Sequence, residues 1–504
     1  MRRRLHVLSA PSQLTPSESL RIDIVPQFLE RRSATAPDLR VHRERRAHLV
    51  GIAGSGMRSL AEVLAAAGWQ VSGSDAALDP ALVGRFHVRA GHHADEIDPA
   101  LDLVVHSDAV PADNPELVRA RELRIACKSY PQMLGDLMKS RNGLAVAGTH
   151  GKSTTAAMIA EILWAEGLDP TVVYGAQGAG GRSGGHLGTS RWMIAEACEY
   201  RANFLSLSPH MAVVLNIEHD HFDYFTTVEQ VEMAFAEFAT KVPREGLIVH
   251  SAECPRTIRA MRGLSCGVET FGLSPTATWQ ARSLRERRGY YSFQIRARGR
   301  LVCDVALRVP GRHNVSNALA AAAAASHCGA TGRAIRAALE RFAGLERRLE
   351  IVADSPQLAV VDDYAHHPTE LAATLSTVRQ MFPGRRLWCV FQPHQSSRIS
   401  RLLNEFATTL ADADKIVVTE TFRAREFGTS RSEATAVDLS RRLAERGRDV
   451  VQLTTKAAIE HHLHKHLAGS DVLVTVGAGD IGTIAHGFRH YGVGQGVRAV
   501  RQAG

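Results

Sequence analysis

Residues 145–158 read AVAGTHGKSTTAAM. A short apolar run ends at Gly148, and Gly151-Lys152-Ser153 opens a stretch with the small and apolar residues of a helix. In a strand–glycine turn–helix arrangement, successive backbone N–H groups cradle phosphates. A lysine there neutralises β and γ oxygens, and a serine hydroxyl ligates magnesium. The spacing departs from the usual GxxxxGK[ST], because Val146 stands where the first glycine belongs. A chance GKS is common, but one lodged between a strand and a helix is far rarer. Gly148, Thr149, His150, Gly151, Lys152, Ser153 and Thr154 are therefore the candidate nucleotide-binding residues.

Upstream, HLVGIAGSGMRSLAEVLAAAG (48–68) places Gly51, Gly54 and Gly56 between a strand and a helix, with Ser55 and Met57 in the same turn. Such a turn lets backbone amides approach a pyrophosphate at a helix N-terminus. Asp75, closing QVSGSD, and Ser107, closing LDLVVHS, end the next strands and complete a candidate nucleotide-sugar set. The order GxxGxG is not the GxGxxG of nicotinamide binders. A tight turn without any ligand is the plainer alternative.

The rest of the chain repeats this alternation. Short β-branched runs followed by helical stretches predict βαβ units and a parallel sheet. One cycle starts at His48, a second at GLAVAG (143–148) and a third near AVVDDY (359–364). Within the second, LRERRGYYSFQIRARGRLVCDVALRVPG (284–311) alternates as an antiparallel insertion would. The expectation is an α/β chain of three successive modules: a basic extension at 1–46, then 47–142, 143–343 and 344–504. The extension has no sustained periodicity beyond a short helix expected near Val25–Arg32 and is expected to be flexible.

Composition narrows the function. A length of 504 residues exceeds one core, and 45% hydrophobic with 22% charged residues is ordinary for a soluble protein. The net charge is +8, but ten arginines against five acids in residues 1–46 supply +5 of it. The +3 left for the body disfavours nucleic acid. There is neither a long apolar span nor an adequate signal-peptide core, so no membrane insertion is expected. Seven scattered cysteines without a CxxC pair indicate reduced thiols and a cytoplasmic protein.

GTHGKS resembles the phosphate loop of the Mur ligase family, and the preceding glycine loop resembles that family's UDP-binding domain. The resemblance continues in order through AEACEYRANFLSLSPHMAVVLNIEHDHFDYF (195–225), VPGRHNVSNALAAAAA (309–324), GLERRLEIV (344–352), VVDDYAHHPTEL (360–371), FQPHQSSRIS (391–400) and VTVGAGDIG (474–482). It spans roughly residues 47–490. It implies an N-terminal Rossmann-like UDP-binding domain, a central P-loop ATPase-like domain and a C-terminal Rossmann-like domain. It also implies an ATP- and Mg2+-dependent amide ligase that forms an acyl phosphate on a substrate carboxylate, which an amino group then attacks. The alanine-adding branch, joining L-alanine to UDP-N-acetylmuramate, is the nearest; monomer and homo-oligomer both remain open.

By the same resemblance, Lys152, Glu196, His221, Arg348 and Asp363 are the catalytic candidates, with Ser153, Glu196 and His221 toward the metal. His313, Asn314 and Asn317 would order the adenine, although Asn314 could simply cap a helix. Arg348 would meet phosphate and Asp363 the ribose, leaving Arg347 as a solvated neighbour. Tyr364, His366, His394 and Arg398 would line the amino-acid end, with Arg398 free for a carboxylate. His219 is read as local structure, and HHLHKH (461–466) as a solvated helix face.

Three departures from the family pattern stand out. Ser153 replaces threonine but keeps the hydroxyl. EACEYR keeps Glu196 and Glu199 but has Cys198 where an acid is common, and Gln395 stands where many alanine-adding enzymes have arginine. The last bears on acceptor choice, so a ligase that attaches a preformed peptide to the same sugar nucleotide is the nearest alternative. A folylpolyglutamate-type ligase lacks the first domain. A non-catalytic nucleotide-binding regulator is disfavoured by the retained catalytic set, and a nicotinamide oxidoreductase rests on the glycine loop alone. A chain shortened to begin around Arg46 is expected to keep its turnover; a folded but inactive product would place the extension in the active site or in an essential assembly.

Overall fold

The computed structural model describes residues 45–423 and 434–490. The flexible extension and the short helix expected near Val25–Arg32 lie outside these residues. Arg45 and Arg46, assigned to the extension, instead begin the first strand, Arg45–Val50.

That strand is the middle of a five-stranded, all-parallel sheet. The order is His87–Ala90, Trp69–Asp75, Arg45–Val50, Leu103–His106, Ala126–Ser129. The chain winds to one side and then to the other, so a crevice opens at the carboxyl ends of Arg45–Val50 and Leu103–His106. Gly51 sits in that crevice with φ 85°, and a β-carbon there would come within 3.0 Å of the Ser107 β-carbon. Only glycine fits both the angle and the approach.

The central sheet has ten strands. Asn142–Ala147, which carries the phosphate loop, lies between Met211–Val214 and Trp192–Ala197, parallel to both. At one edge Trp279–Arg287, Tyr290–Ala297 and Arg300–Ala306 form the antiparallel insertion that the alternating sequence predicts. Helices Lys152–Ala165 and Arg312–His327 are buried nearly all round, and Ala318 through Ala325 are fully enclosed. Alanine lets these helices approach closely, and an apolar surface on every side is what a core helix requires.

Buried Glu269 ties the insertion to the core. Its carboxylate accepts from Trp279 Nε1 at 2.6 Å and Arg298 Nη2 at 2.7 Å, and lies 3.0 Å from His327 Nε2 at the end of the second core helix. Burial alone would raise this carboxyl, but His327, Trp279 and Arg298 hold it down at about 2.

The third sheet has six strands, ordered Glu350–Asp354, Leu358–Asp363, Asp471–Val476, Leu387–Phe391, Lys415–Val418, Val450–Gln452. Its first pair is antiparallel and the others parallel. Arg347 corrects an expectation here, because it is not a solvated neighbour. Its Nε donates to the fully buried Asp362 at 3.0 Å, while Nη1 and Nη2 donate to the carbonyls of Gly479 and Gly477. It fastens the entry of this sheet to the loop after Asp471–Val476. HHLHKH lies on helix Lys456–His466, where Leu463 faces inward and His461, His464 and His466 are exposed. No helix among the described residues is long and apolar enough to cross a membrane.

Because Glu269 is depressed in the folded state, its stabilisation is present above the unfolded carboxyl value and is lost as pH falls from about 4.5 toward 2. A shift of this size corresponds to about 3 kcal/mol. Glu269→Gln should therefore cost stability at pH 7, and the gap from wild type in urea midpoint should close near pH 2. A gap that stays constant with pH would contradict this account.

Candidate active site

The phosphate loop is held by residues far away in sequence. Asn216, just beyond strand Met211–Val214, accepts from His150 N through Oδ1 at 2.8 Å, and its Nδ2 donates to the His150 carbonyl at 3.1 Å. Thr149 Oγ1 accepts from Glu218 N at 2.9 Å. Gly151 caps the helix with φ 85°, and a β-carbon there would lie 2.7 Å from Asn317 Oδ1. No side chain caps this helix, so its first N–H groups remain available to an anion.

Lys152 is mostly buried. Its Nζ donates to the carbonyls of Gly148 (2.6 Å) and Thr149 (3.1 Å) and to Glu199 Oε2 (2.9 Å). Burial would discharge this lysine, but Glu199 outweighs it and holds the ammonium above its usual range. Burial would likewise raise Glu199, yet Lys152 and His221 bring it down to about 2. His221 Nε2 stands 3.5 Å from Glu199 Oε1.

Glu196 points toward the first glycine loop: a β-carbon on Gly175 would be 3.6 Å from Glu196 Oε2 and 3.0 Å from Ser55 Oγ. Glu196 Oε1 and Glu199 Oε1 are both buried without a hydrogen-bond partner among the described residues. Buried carboxylate oxygens in that condition are donors suited to a hard cation. Sequence reasoning did not assign Glu199 a role, although EACEYR preserves it.

Most of the other nucleotide candidates converge. His150, Gly151, Thr154, His313, Asn314, Asn317, Arg348 and Asp363 line one cavity of about 470 Å3. Asn314 does not cap its helix; its Nδ2 donates to the Pro310 carbonyl, and its Oδ1 accepts from Asn317 Nδ2. Burial lowers His313 to about 4. Asp363 accepts from the N–H groups of Ala365 (2.7 Å) and Leu349 (2.8 Å). Burial pushes its carboxyl up to about 7 against the pull of Arg348 and these two donors. Arg348 and Arg347 both lie over the Tyr364 ring, at 5.0 and 5.3 Å from its centroid.

In the first sheet, Gly51 and Ser107 meet across the crevice, and Gly54 and Ser55 begin helix Ser55–Ala66. Gly56 is packed against Tyr130. Asp75 Oδ2 accepts from Ala53 N at 2.9 Å, so this acid braces the glycine loop itself. Met57 is buried in the core, which leaves only its backbone near the crevice.

At the third sheet Tyr364, His366 and His394 form a row, with ring centroids 5.6 and 5.4 Å apart. Burial drops His366 to about 4, so it is neutral at pH 7. Arg398 departs from expectation: it is buried and committed. Nε and Nη2 donate to Asp220 Oδ1 at 3.0 and 2.7 Å, and Nη1 to the His394 carbonyl at 3.0 Å, with His394 Nδ1 2.7 Å away. Asp220 Oδ1 also accepts from His221 N. This acid, adjacent to His221 in NIEHDH, was the available signal that sequence reasoning left unused. His219 Nε2 donates locally, to the Phe225 carbonyl at 3.1 Å, as expected.

Comparison with known proteins gives matches to three consecutive domains. These are "Mur ligase family, catalytic domain" at residues 46–142, "Mur ligase middle domain" at 146–325 and "Mur ligase, glutamate ligase domain" at 347–479. A UDP-N-acetylmuramate–L-alanine ligase of Acetivibrio thermocellus is 38% identical over 88% of this chain and 95% of its own. The solved UDP-N-acetylmuramate-alanine ligase of Thermotoga maritima superposes with TM-score 0.75 at 28% identity, covering 88% of this chain and 98% of that one. A murein peptide ligase of Psychrobacter arcticus gives 0.68 at 26% identity, over 87% and 97%.

Lys152→Met is expected to lower nucleotide-dependent turnover by at least about a hundredfold, roughly 3 kcal/mol of transition-state stabilisation. It also leaves Glu199 buried beside His221 alone, so stability should fall. Adding Glu199→Gln should recover stability and leave turnover absent. Turnover restored by the second substitution would show that the lysine serves only as a counter-charge.

Proposed function

The chain belongs to the Mur ligase family, and we propose that it joins L-alanine to the lactyl carboxylate of UDP-N-acetylmuramate at the expense of ATP, in the cytoplasm, as a step of peptidoglycan precursor synthesis. The observation that carries this reading is the single cavity into which the phosphate loop and Arg348 and Asp363 of the third sheet all face. The names of the relatives above and the solved alanine ligase support the substrates.

A carboxylate is a poor electrophile. Transfer of the γ-phosphoryl group to one of its oxygens gives an acyl phosphate and ADP. The acceptor amine then forms the C–N bond as the C–O bond to phosphate breaks, and the amine loses its proton. In-line phosphoryl transfer needs positioning and charge neutralisation above all. Lys152 supplies a permanent cation beside the loop amides of Gly148 to Thr154. His313, Asn314 and Asn317 contact the base; Arg348 takes phosphate, and Asp363 accepts from a ribose hydroxyl. Gly51, Gly54, Ser55 and Gly56 hold the pyrophosphate of the sugar nucleotide at their helix start, with Ser107 across the crevice.

Ser153, Glu196 and His221, with Glu199 added by the geometry, would hold magnesium. When bound, that ion screens the like charges of γ-phosphate and carboxylate from each other. Tyr364, His366 and His394 line the acceptor end. Asp220 holds Arg398 in place there, so the guanidinium reaches an acceptor carboxylate only by sharing its remaining N–H.

Gln395 begins helix Ser396–Leu410 and is buried with φ 66°. An uncharged side chain there favours weak capture of the acceptor carboxylate. Gln395→Arg is expected to lower the KM for L-alanine roughly ten- to a hundredfold, the worth of one charge-assisted hydrogen bond, with ATP dependence unchanged. Phosphate release with UDP-N-acetylmuramate against L-alanine, glycine, L-serine and a tripeptide tests the whole reading. L-Alanine should give the highest kcat/KM; a wild-type preference for the tripeptide would identify a peptide-attaching ligase instead.

A further inference from the structure

At the edge of the nucleotide cavity, which His150 and Glu218 line, three side chains from the central and third units bring donor atoms together. His150 Nε2 lies 3.4 Å from Glu218 Oε2, and His367 Nδ1 lies 3.5 Å from the same oxygen. One donor atom from each of the three falls within 4.8 Å of the other two. A tetrahedral zinc ion with ligands at about 2.0–2.1 Å would hold them roughly 3.3–3.4 Å apart. His150 and Glu218 belong to the central sheet, one in the phosphate loop and one in NIEHDH. His367 caps helix Pro368–Met381 of the third.

Outer contacts have the form of a metal site's supports. Glu370 Oε1 sits 3.0 Å from His150 Nδ1, which turns Nε2 toward Glu218 in the carboxylate–histidine–metal manner. Thr369 Oγ1 donates to Glu218 Oε2 at 2.6 Å and orients that carboxylate. His367 Nδ1 faces the carboxylate as an acceptor; among the described residues the Thr369 N–H donates to it, at a long 3.3 Å. Two acceptor atoms facing each other call for a cation between them. His150 Nε2 donates its proton to that same carboxylate oxygen.

We propose that His150, Glu218 and His367 form a transition-metal site, of zinc-like preference, that clips the central sheet to the third. The metal takes the place of the proton on His150 Nε2, which passes to solvent, and water completes the fourth position. This site is separate from the Ser153, Glu196 and His221 set and does not depend on which acceptor the enzyme uses.

The test is zinc affinity of the full chain, read by competition with a chromophoric chelator. It uses a His462→Ala, His466→Ala background, because these rings are 4.3 Å apart on the solvated helix and could bind zinc themselves. His367→Asn keeps a helix-capping oxygen, and Glu218→Gln keeps its shape; neither keeps the donor. The expected result is one zinc ion per chain, weakened at least tenfold in each variant, with cobalt giving the visible bands of a tetrahedral site only in the parent. Zinc should also raise the melting temperature of the parent and not of His367→Asn. Equal zinc affinity in parent and both variants, or zinc held no more tightly than magnesium, would overturn the proposal.

Discussion

A phosphate loop has to bury a lysine, and a buried ammonium demands a counter-charge. Here that demand is met by Glu199, 47 residues away and just beyond strand Trp192–Ala197. Glu199 in turn faces His221, whose neighbour Asp220 holds Arg398. Two opposite-charge pairs, Lys152 with Glu199 and Asp220 with Arg398, are thus linked through His221 from the loop into the third sheet, and each buried charge is tolerable because its partner is present. Removing one member strands another, which is why this centre cannot be assembled piecemeal. The same logic explains why Asp220 sits well below the usual carboxylate range despite full enclosure: burial raises it, and Arg398 outweighs burial.

The architecture could be read largely from the sequence because its signals are local. Runs such as GLAVAG and MAVVLNI are short, apolar and bounded by turns, and the insertion at 284–311 alternates residue by residue. The phosphate loop was visible for the same reason. What the sequence hid are pairings over long separations. Nothing in EACEYR says that Glu199, and not Glu196, reaches Lys152, and Asp220 finds Arg398 from 178 residues away. Arg347 and Arg348 are adjacent and chemically identical, yet one locks onto Asp362 while the other faces the cavity. The left-handed backbone at Arg347, φ 57°, separates their directions, and no composition or period encodes that angle.

At the cavity, polar contacts join the central and third sheets. Thr369 to Glu218, Glu370 to His150 and Arg398 to Asp220 carry them. Polar contacts of this kind are directional and can be exchanged for water or ligand at modest net cost, whereas an apolar seam would not reopen so easily. The arrangement suits a catalyst that has to admit a nucleotide and a sugar nucleotide and then exclude water around an acyl phosphate.

The bracing of the phosphate loop has a further consequence. Asn216 grips His150 through two hydrogen bonds, Glu218 engages Thr149, and Asn317 crowds Gly151 from the opposite helix. The loop is therefore rigid before any phosphate arrives, and the entropy of ordering it belongs to folding and not to binding. Nucleotide affinity then becomes a property of the central core as a whole. A cavity opened between the alanine-rich helix and its neighbours, far from any phosphate, would loosen Asn317 and be felt as weaker nucleotide binding.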